Sequence, residues 1–524
     1  MLENFPLFLA LVIVIVLLIM LAEKIKVAYP VLLIIAGLGI GFIPGLPMFH
    51  IEPEMIFLIF LPPLLYDAAW TISWKELWKW RRVICSFAFV IVFLTALSVA
   101  FVANYCIPGF TLALGFLLGG IVSPPDAVSA GAIMKFVKLP RTVASILEGE
   151  SLLNDAASLI ILRFALIAVA TGQFIWYKAA GSFVWMVVGG IAIGLLIGLL
   201  FMKLHKYLPT DANMDIILSI VTPYMMYVAA EKVHSSGVLA VVSGGLFLSY
   251  NRHIFLSSTS RIRGFNVWQS LCFILNGLVF IMIGLMLPEI TAGLGSVSTN
   301  AAIGYSVLIT GVLVVGRILS SYGAVAFTLI ARNFITVADG RNPGAKGPLI
   351  IGWTGMRGVV SLAAALSIPL QLEDGSPFPQ RNLILFITFV VILLTLLLQG
   401  LTLPFLIRKL NLSNRDQTQT EEEIDKDIKQ QLAQFALDHL ETHFPEQLKR
   451  QALLQQIARK WKDSSMPFEN TGLTDEAKSV YRSLLNAQRK WLIRKNKQEQ
   501  TLDEEIVRRH LHRIDMEEEK WRLM

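Results

Sequence analysis

Charge is scarce in this sequence. Only 16% of its 524 side chains are Asp, Glu, Lys or Arg, against roughly 25% in soluble domains. The scarcity is uneven. Residues 1–410 hold 42 of the 83 charged side chains, and the last 114 residues hold the other 41. The first part therefore reads as membrane-embedded and 411–524 as a soluble domain. Cysteine is scarce too. Cys85, Cys106 and Cys272 have no CxxC spacing, which argues against a zinc site or a disulfide framework. The tail has no glycine-rich nucleotide loop and no metal-ligand cluster. It is also not basic, with 20 basic and 21 acidic residues, whereas 1–410 carries 25 and 17. A nucleic-acid-binding tail should be clearly basic, so no nucleic-acid partner is expected. The N-terminus lacks a basic n-region and a small-residue cleavage site. Its first apolar run is expected to be a retained span.

What is present is a series of apolar runs. A transmembrane helix needs about 20 mostly apolar residues. Thirteen candidates fall near 6–22, 27–47, 54–71, 83–106, 110–136, 142–171, 175–202, 213–231, 235–250, 267–288, 301–331, 347–370 and 382–407. The charge in the connections tests that count, because cytoplasmic connections are enriched in Lys and Arg. The odd connections carry 17 basic residues, among them Lys75, Lys79, Arg81, Arg82, Lys203, Lys206, Arg252, Arg261 and Arg263. The even ones carry 3: Lys178, Lys232 and Arg381. A wrong span count would scramble this alternation. The pattern predicts an all-α polytopic protein of about 13 spans, N-terminus outside and tail cytoplasmic. The inner or plasma membrane is the simplest location. In the tail, apolar residues at helical spacing predict one helix over Glu421 to Leu440 and a second from Asp475 to about Arg509.

Carboxylates are expensive inside a bilayer, costing from about 2.5 kcal/mol upward, so each is a functional candidate. Asp67, Asp126, Glu148, Glu150 and Asp155 qualify, and Arg163, Arg317 and Arg357 lie deep in spans. Ser151 and Asp155 share one helical face. A hydroxyl and a carboxylate together suit a small hard cation, which prefers oxygen ligands. Burial raises a carboxylate's pKa, and a carboxylate near neutrality can take either a proton or a cation. Pairing of Asp155 with Arg163, two turns away, is the structural alternative. Around Asp126, Pro124 and Pro125 remove backbone donors in mid-span, so the helix is expected to break and free the carbonyls of Ile121 to Pro124. Interrupted helices near the midplane mark transporters. Arg357 lies among Gly352, Gly355 and Gly358 and needs a buried partner; Glu150 is the candidate.

The stretches FLPPLLYDAAW (60–70), SPPDAVSAG (123–131), LEGESLLNDAASLI (147–160), SSGVLAVVSGGL (235–246) and GWTGMRGVVSLAAAL (352–366) together resemble the sodium/proton exchanger family, in its electroneutral, NhaP-like branch. The resemblance covers about 1–410. It implies two inverted repeats with two interrupted helices crossing near the ion, the architecture of such antiporters, and a homodimer. Asp155 would bind cation and proton in turn. Asn154 stands where electrogenic relatives carry a second Asp, which implies one-for-one exchange. Ser151, Asp126 and Asp67 match positions that line the ion site, and Glu150 and Arg357 match a structural ion pair. The family has Thr or Val before its Asp126 equivalent; Pro125 stands there instead and offers only its carbonyl.

The expectation is secondary antiport of Na+, or K+ or Li+, against H+, at Asp155, Asp126 and Ser151, serving pH homeostasis. No cofactor is expected besides the transported ions, and no enzymatic activity. The tail would support a dimer, bind a cytosolic regulator, or simply extend into solvent. An intramembrane aspartyl protease is the rival reading of Tyr66-Asp67, but its GxGD stretch is missing. A channel should show a filter repeat, whereas a carboxylate beside broken helices fits alternating access.

Overall fold

The computed structural model describes residues 5–43, 53–126, 139–172, 176–294, 297–333, 344–355, 357–372, 375–410, 421–462, 475–499 and 502–523. These are helical almost throughout, with one isolated bridge between Gln371 and Pro377. The chain divides into two compact units. The first comprises Met1–Leu208, Ile217–Asn251 and Trp268–Ser413; the second comprises Pro209–Ile216, Arg252–Val267 and Asn414–Met524. The expected boundary near 410 is therefore crossed twice, by two connections of the apolar part that pack with the tail.

In chain order the helices are α1 Phe5–Ile25, α2 Tyr29–Gly41, α3 Pro53–Thr71, α4 Trp74–Cys85, α5 Val92–Cys106, α6 Leu112–Val122, α7 Arg141–Thr171 and α8 Trp176–Tyr207. There follow α9 Ala212–Lys232, α10 Gly237–Phe255, α11 Ser258–Leu285, α12 Leu287–Ala292, α13 Thr299–Ala331, α14 Lys346–Trp353, α15 Val359–Leu366 and α16 Arg381–Leu410. Among the described residues, seven segments are long and apolar enough to cross a membrane: Trp74–Cys106, Thr142–Thr171, Ala180–Tyr207, Ala212–Lys232, Ser258–Ala292, Thr299–Ile330 and Arg381–Leu410. Two expected spans fall short because they break. The 110–136 run gives the eleven-residue α6 and then irregular backbone from Ser123, with 127–138, Lys135 and Lys138 included, outside the described residues. The 347–370 run gives two eight-residue helices, α14 and α15, around Gly355 and Gly358.

Helices in lipid gain little from apolar burial against one another, so close backbone approach matters more. The α5–α6 contact illustrates this. A Cβ added at Gly115 or Gly119 would come within 2.6 or 2.5 Å of the Ala100 or Ala96 carbonyl oxygen. Side chains at these two positions would push the helices apart and displace the break that follows α6.

The second unit builds its core from α17 Glu421–His443, α19 Ala452–Lys462, α20 Asp475–Gln498 and α21 Glu504–Leu523, with the short α18 Pro445–Arg450 between the first two. Ile428, Leu432, Ala436 and Leu440, four apart on one face of α17, are buried with Val480, Leu484 and Leu492 of α20. The single helix expected from Asp475 to Arg509 is two. Asp503 starts the second by accepting from the Glu505 and Ile506 amides at 2.7 and 3.2 Å. Such a cap satisfies orphan donors and fixes a helix start in the middle of a polar run.

Candidate ion site

The site forms where α7 passes the break after α6. A helix normally spends its polar residues on a wet face, yet α7 buries Glu150, Asn154, Asp155 and Ser158 at 0, 0, 8 and 1% exposure. Spacings of four align Glu150, Asn154 and Ser158, and Asp155 lies one turn beyond Ser151. Glu148 faces outward and is exposed.

Three side chains hold the end of α6 and the break that follows it. Ser158 donates its hydroxyl to the Gly120 carbonyl at 2.6 Å, and Asn154 donates its amide to the Pro125 carbonyl at 2.9 Å. Arg357, from the gap between α14 and α15, donates through Nε to the Val122 carbonyl and through Nη1 to the Gly355 carbonyl. Its own amide donates to Thr395 Oγ1 of α16 at 3.2 Å. The Val122 carbonyl at the end of α6, expected to be free, is thus bound to a guanidinium, and the Pro125 carbonyl is bound to an amide. Orphan carbonyls at a helix end carry partial negative charge, and a cation there is favourable.

The two breaks meet. A Cβ added to Gly358 would overlap the carboxylate of Asp126. Glycine is required there because the acid occupies the space a side chain would fill. Asp126 is half-buried. It also lies close enough to Tyr29 of α2 and to Asp155 to act on both electrostatically.

The expected Glu150–Arg357 pair is not the one formed. Arg317 of α13 grips Glu150 with two parallel hydrogen bonds, Nη1 to Oε1 and Nη2 to Oε2, each 2.7 Å. Both side chains are nearly inaccessible, at 3 and 0% exposure. The planar guanidinium matches the carboxylate fork, which makes this the stronger of the two available arginine geometries. Arg357 serves backbone carbonyls instead. Sequence spacing could not choose between the two arginines. The signal for Arg317 was its position in mid-span of α13, where a lone guanidinium must find a buried acid.

Asp155 is treated differently. Among the described residues it has no hydrogen-bond or ion-pair partner, and Asp126 is the charge that acts on it. Asn154 Oδ1 is also buried without a partner among the described residues. Arg163, the alternative partner of Asp155, pairs elsewhere: its Nη2 lies 3.3 Å from Glu231 Oε2 at the end of α9. The other oxygen of Glu231 accepts from the Gly237 amide at the start of α10. Asp67 of α3 takes a hydrogen bond from the buried Cys272 thiol of α11. The structure therefore brings Asp126, Asn154 and Asp155 together around the break, and leaves Asp67 with α11. No group of three or more His, Cys, Asp or Glu placed to hold a metal occurs among the described residues.

The family model described as sodium/hydrogen exchanger, transmembrane, matches residues 10–409. The chain belongs to the sodium/hydrogen exchanger family. It is 35% identical over 390 residues to the sodium, potassium, lithium and rubidium/H+ antiporter of Bacillus subtilis (strain 168), a match covering 72% of this chain. That match spans 58% of the Bacillus protein's length. It is 31% identical over 406 residues to the Na+/H+ antiporter ApNhaP of Aphanothece halophytica, covering 76% of this chain and 73% of that one. Its fold is similar to that of the sodium proton antiporter MjNhaP1 from Methanocaldococcus jannaschii, with TM-score 0.62 and 19% identity over 78% of this chain and 99% of that chain. Family and apolar helices together make this a multi-pass membrane protein of a transporter family.

Proposed function

We propose that this chain is a secondary antiporter that exchanges a monovalent cation, Na+ foremost, for a proton. The observation that carries the proposal is the contrast on α7. Glu150 is paired with Arg317, while Asp155, also buried, has among the described residues only another acid acting on it. An unpaired buried carboxylate is costly as an anion and is relieved by a proton or a cation. The two are alternatives at one group. Protonated Asp155 gives its proton to one side and takes Na+; on the other side Na+ leaves and a proton returns. With one titrating carboxylate, one charge moves each way and the exchange is electroneutral. Asp126, Ser151 and the orphan Oδ1 of Asn154 supply further oxygens to the cation, and Asp67 acts from outside this set through Cys272. Selectivity rests on oxygen ligands alone, so K+ and Li+ are the second reading, favoured by the four alkali cations in the Bacillus relative's name.

The antiporter so read has thirteen spans in two inverted repeats, forms a homodimer, and resides in a bacterial inner membrane with the N-terminus outside. The packing of the second unit supports the sidedness. It joins the tail to 209–216 and 252–267, which begin in the seventh and ninth connections, both on the basic, cytoplasmic side of the charge pattern.

The test is flux from purified protein in liposomes with the membrane potential clamped at zero. A Na+ gradient should drive proton movement, with K+ and Li+ in place of Na+ giving smaller or equal rates. A current that follows the potential and ignores the proton gradient would replace the antiporter with a channel.

A further inference from the structure

The second unit gathers four guanidiniums around one imidazole. His253, in the last turn of α10, has Arg252 beside it on the same helix. Arg261 of α11, Arg489 of α20 and Arg508 of α21 also lie close enough to act on it electrostatically. All five residues belong to the same compact unit. Two of the arginines meet head to head. The Nη2 atoms of Arg261 and Arg489 both bond Asp515 Oδ1, at 2.5 and 2.9 Å, and both reach Ser258 Oγ, at 3.2 and 3.3 Å. Their side chains are only 9 and 10% exposed. Like charges repel more strongly when water is excluded, so such a gathering needs anions.

The carboxylates nearby are already taken. Asp515 serves Arg261 and Arg489 together. Glu518 accepts from Arg489 at 2.6 Å and from Ser258, and lies 3.4 Å from Arg482. Glu504 accepts from Arg508, one turn along α21, at 3.0 Å. Arg252 is left over. Among the described residues its guanidinium has no hydrogen-bond or ion-pair partner. Burial, then Arg508, pushes its pKa down to about 10, so it stays charged at neutral pH. Two more nitrogens are orphans: among the described residues, His253 Nδ1 and Arg489 Nε are buried with nothing to bond. A buried polar atom without a partner is costly. Burial and the surrounding guanidiniums hold the His253 ring neutral, well below the usual histidine range, so it can offer an N–H without adding another cation. A basic last turn offsets a helix dipole. That accounts for one cation at the end of α10 and leaves the two orphan nitrogens unexplained.

We propose that Arg252, His253, Arg489 and Arg508 form a binding site for a phosphate group, which the exchange reaction does not use. The donors set the ligand class. Guanidiniums present pairs of N–H groups that match phosphate oxygens two at a time. A phosphate dianion here relieves the repulsion among the arginines, gives Arg252 its missing counter-charge and bonds both orphan nitrogens. A terminal phosphate is what the site recognises, whether it is free, on a small soluble molecule or on a lipid headgroup. The site is independent of the antiport reading, since it concerns binding and not flux.

The test uses the full chain in phosphatidylcholine nanodiscs, with binding read by calorimetry and by melting temperature. The probes are inorganic phosphate, glucose 6-phosphate, and nanodiscs containing phosphatidic acid. At least one of the three should bind wild type and raise its melting temperature, because a ligand of the folded state stabilises it. Arg252→Gln should weaken that binding by about tenfold or more, and Arg252→Lys should recover part of it, since lysine restores the charge without the fork. Without any phosphate, Arg252→Gln should melt at or above the wild-type temperature, because the cation it removes has no partner. Binding of either soluble probe supports a soluble ligand; a response to phosphatidic acid alone, lost in Arg252→Gln, supports a lipid headgroup. If none of the three binds, the orphan nitrogens hold water and the site is overturned. Equal binding by wild type and Arg252→Gln overturns it as well, and a lower melting temperature of that variant with binding unchanged makes Arg252 a structural residue.

Discussion

Glu150 and Asp155 sit five residues apart on the same buried helix, and their surroundings are opposite. Glu150 has a bidentate arginine and is sealed from solvent. Asp155 has a carboxylate for a neighbour and keeps 8% of its surface accessible. Burial alone therefore does not identify a working acid. What matters is whether the protein has already neutralised it. A paired acid is part of the scaffold. An unpaired one is relieved only by a positive charge from outside the chain, and a proton or a cation can supply it.

That contrast can be broken from the scaffold side. Arg317→Ala should strand the Glu150 carboxylate and destabilise the protein by about 3–5 kcal/mol, read as a lower melting temperature in detergent. Adding Glu150→Gln should return a large part of that loss, because the stranded charge is removed. Strict additivity of the two changes would refute the pair. A smaller effect is expected where the charges are half-exposed. The Arg163–Glu231 pair, 3.3 Å apart with 40 and 37% of its side chains accessible, should cost under about 1 kcal/mol when Arg163 is changed to Ala. Equal losses at Arg163 and Arg317 would remove the distinction between scaffold charge and surface charge.

Much of this was legible in the sequence, but unevenly. The Pro124-Pro125-Asp126 run announced a broken helix, because proline cannot donate and its ring clashes with the preceding turn. Helical spacing placed Ser151 beside Asp155. The apolar runs gave the membrane part, although its shorter broken segments do not register as spans once α14 and α15 are separate. Partner choice was not legible. Arg317 and Arg357 both lie far from Glu150 in sequence, and only the fold shows that one faces the carboxylate while the other closes off carbonyls. Asp67 looked like a third acid of the ion site, yet its contact is Cys272, on a helix whose distance from α3 no periodicity reveals. The division of the chain was half visible. Composition separated the tail at 410, but the capture of 252–267 depends on Arg261 meeting Asp515, a contact across 254 residues.

The claim that Asp155 is the acid that takes proton and cation in turn is tested most directly by one comparison. Proton flux driven by a Na+ gradient is measured in liposomes containing wild-type protein or Asp155→Asn, with folding of both verified by gel filtration and melting. Asn keeps the size and removes both the titration and the charge. Exchange is expected to vanish, while the variant stays folded and melts at or above the wild-type temperature, since an unpaired buried charge is gone. Cation-driven proton flux that persists in folded Asp155→Asn would contradict the assignment.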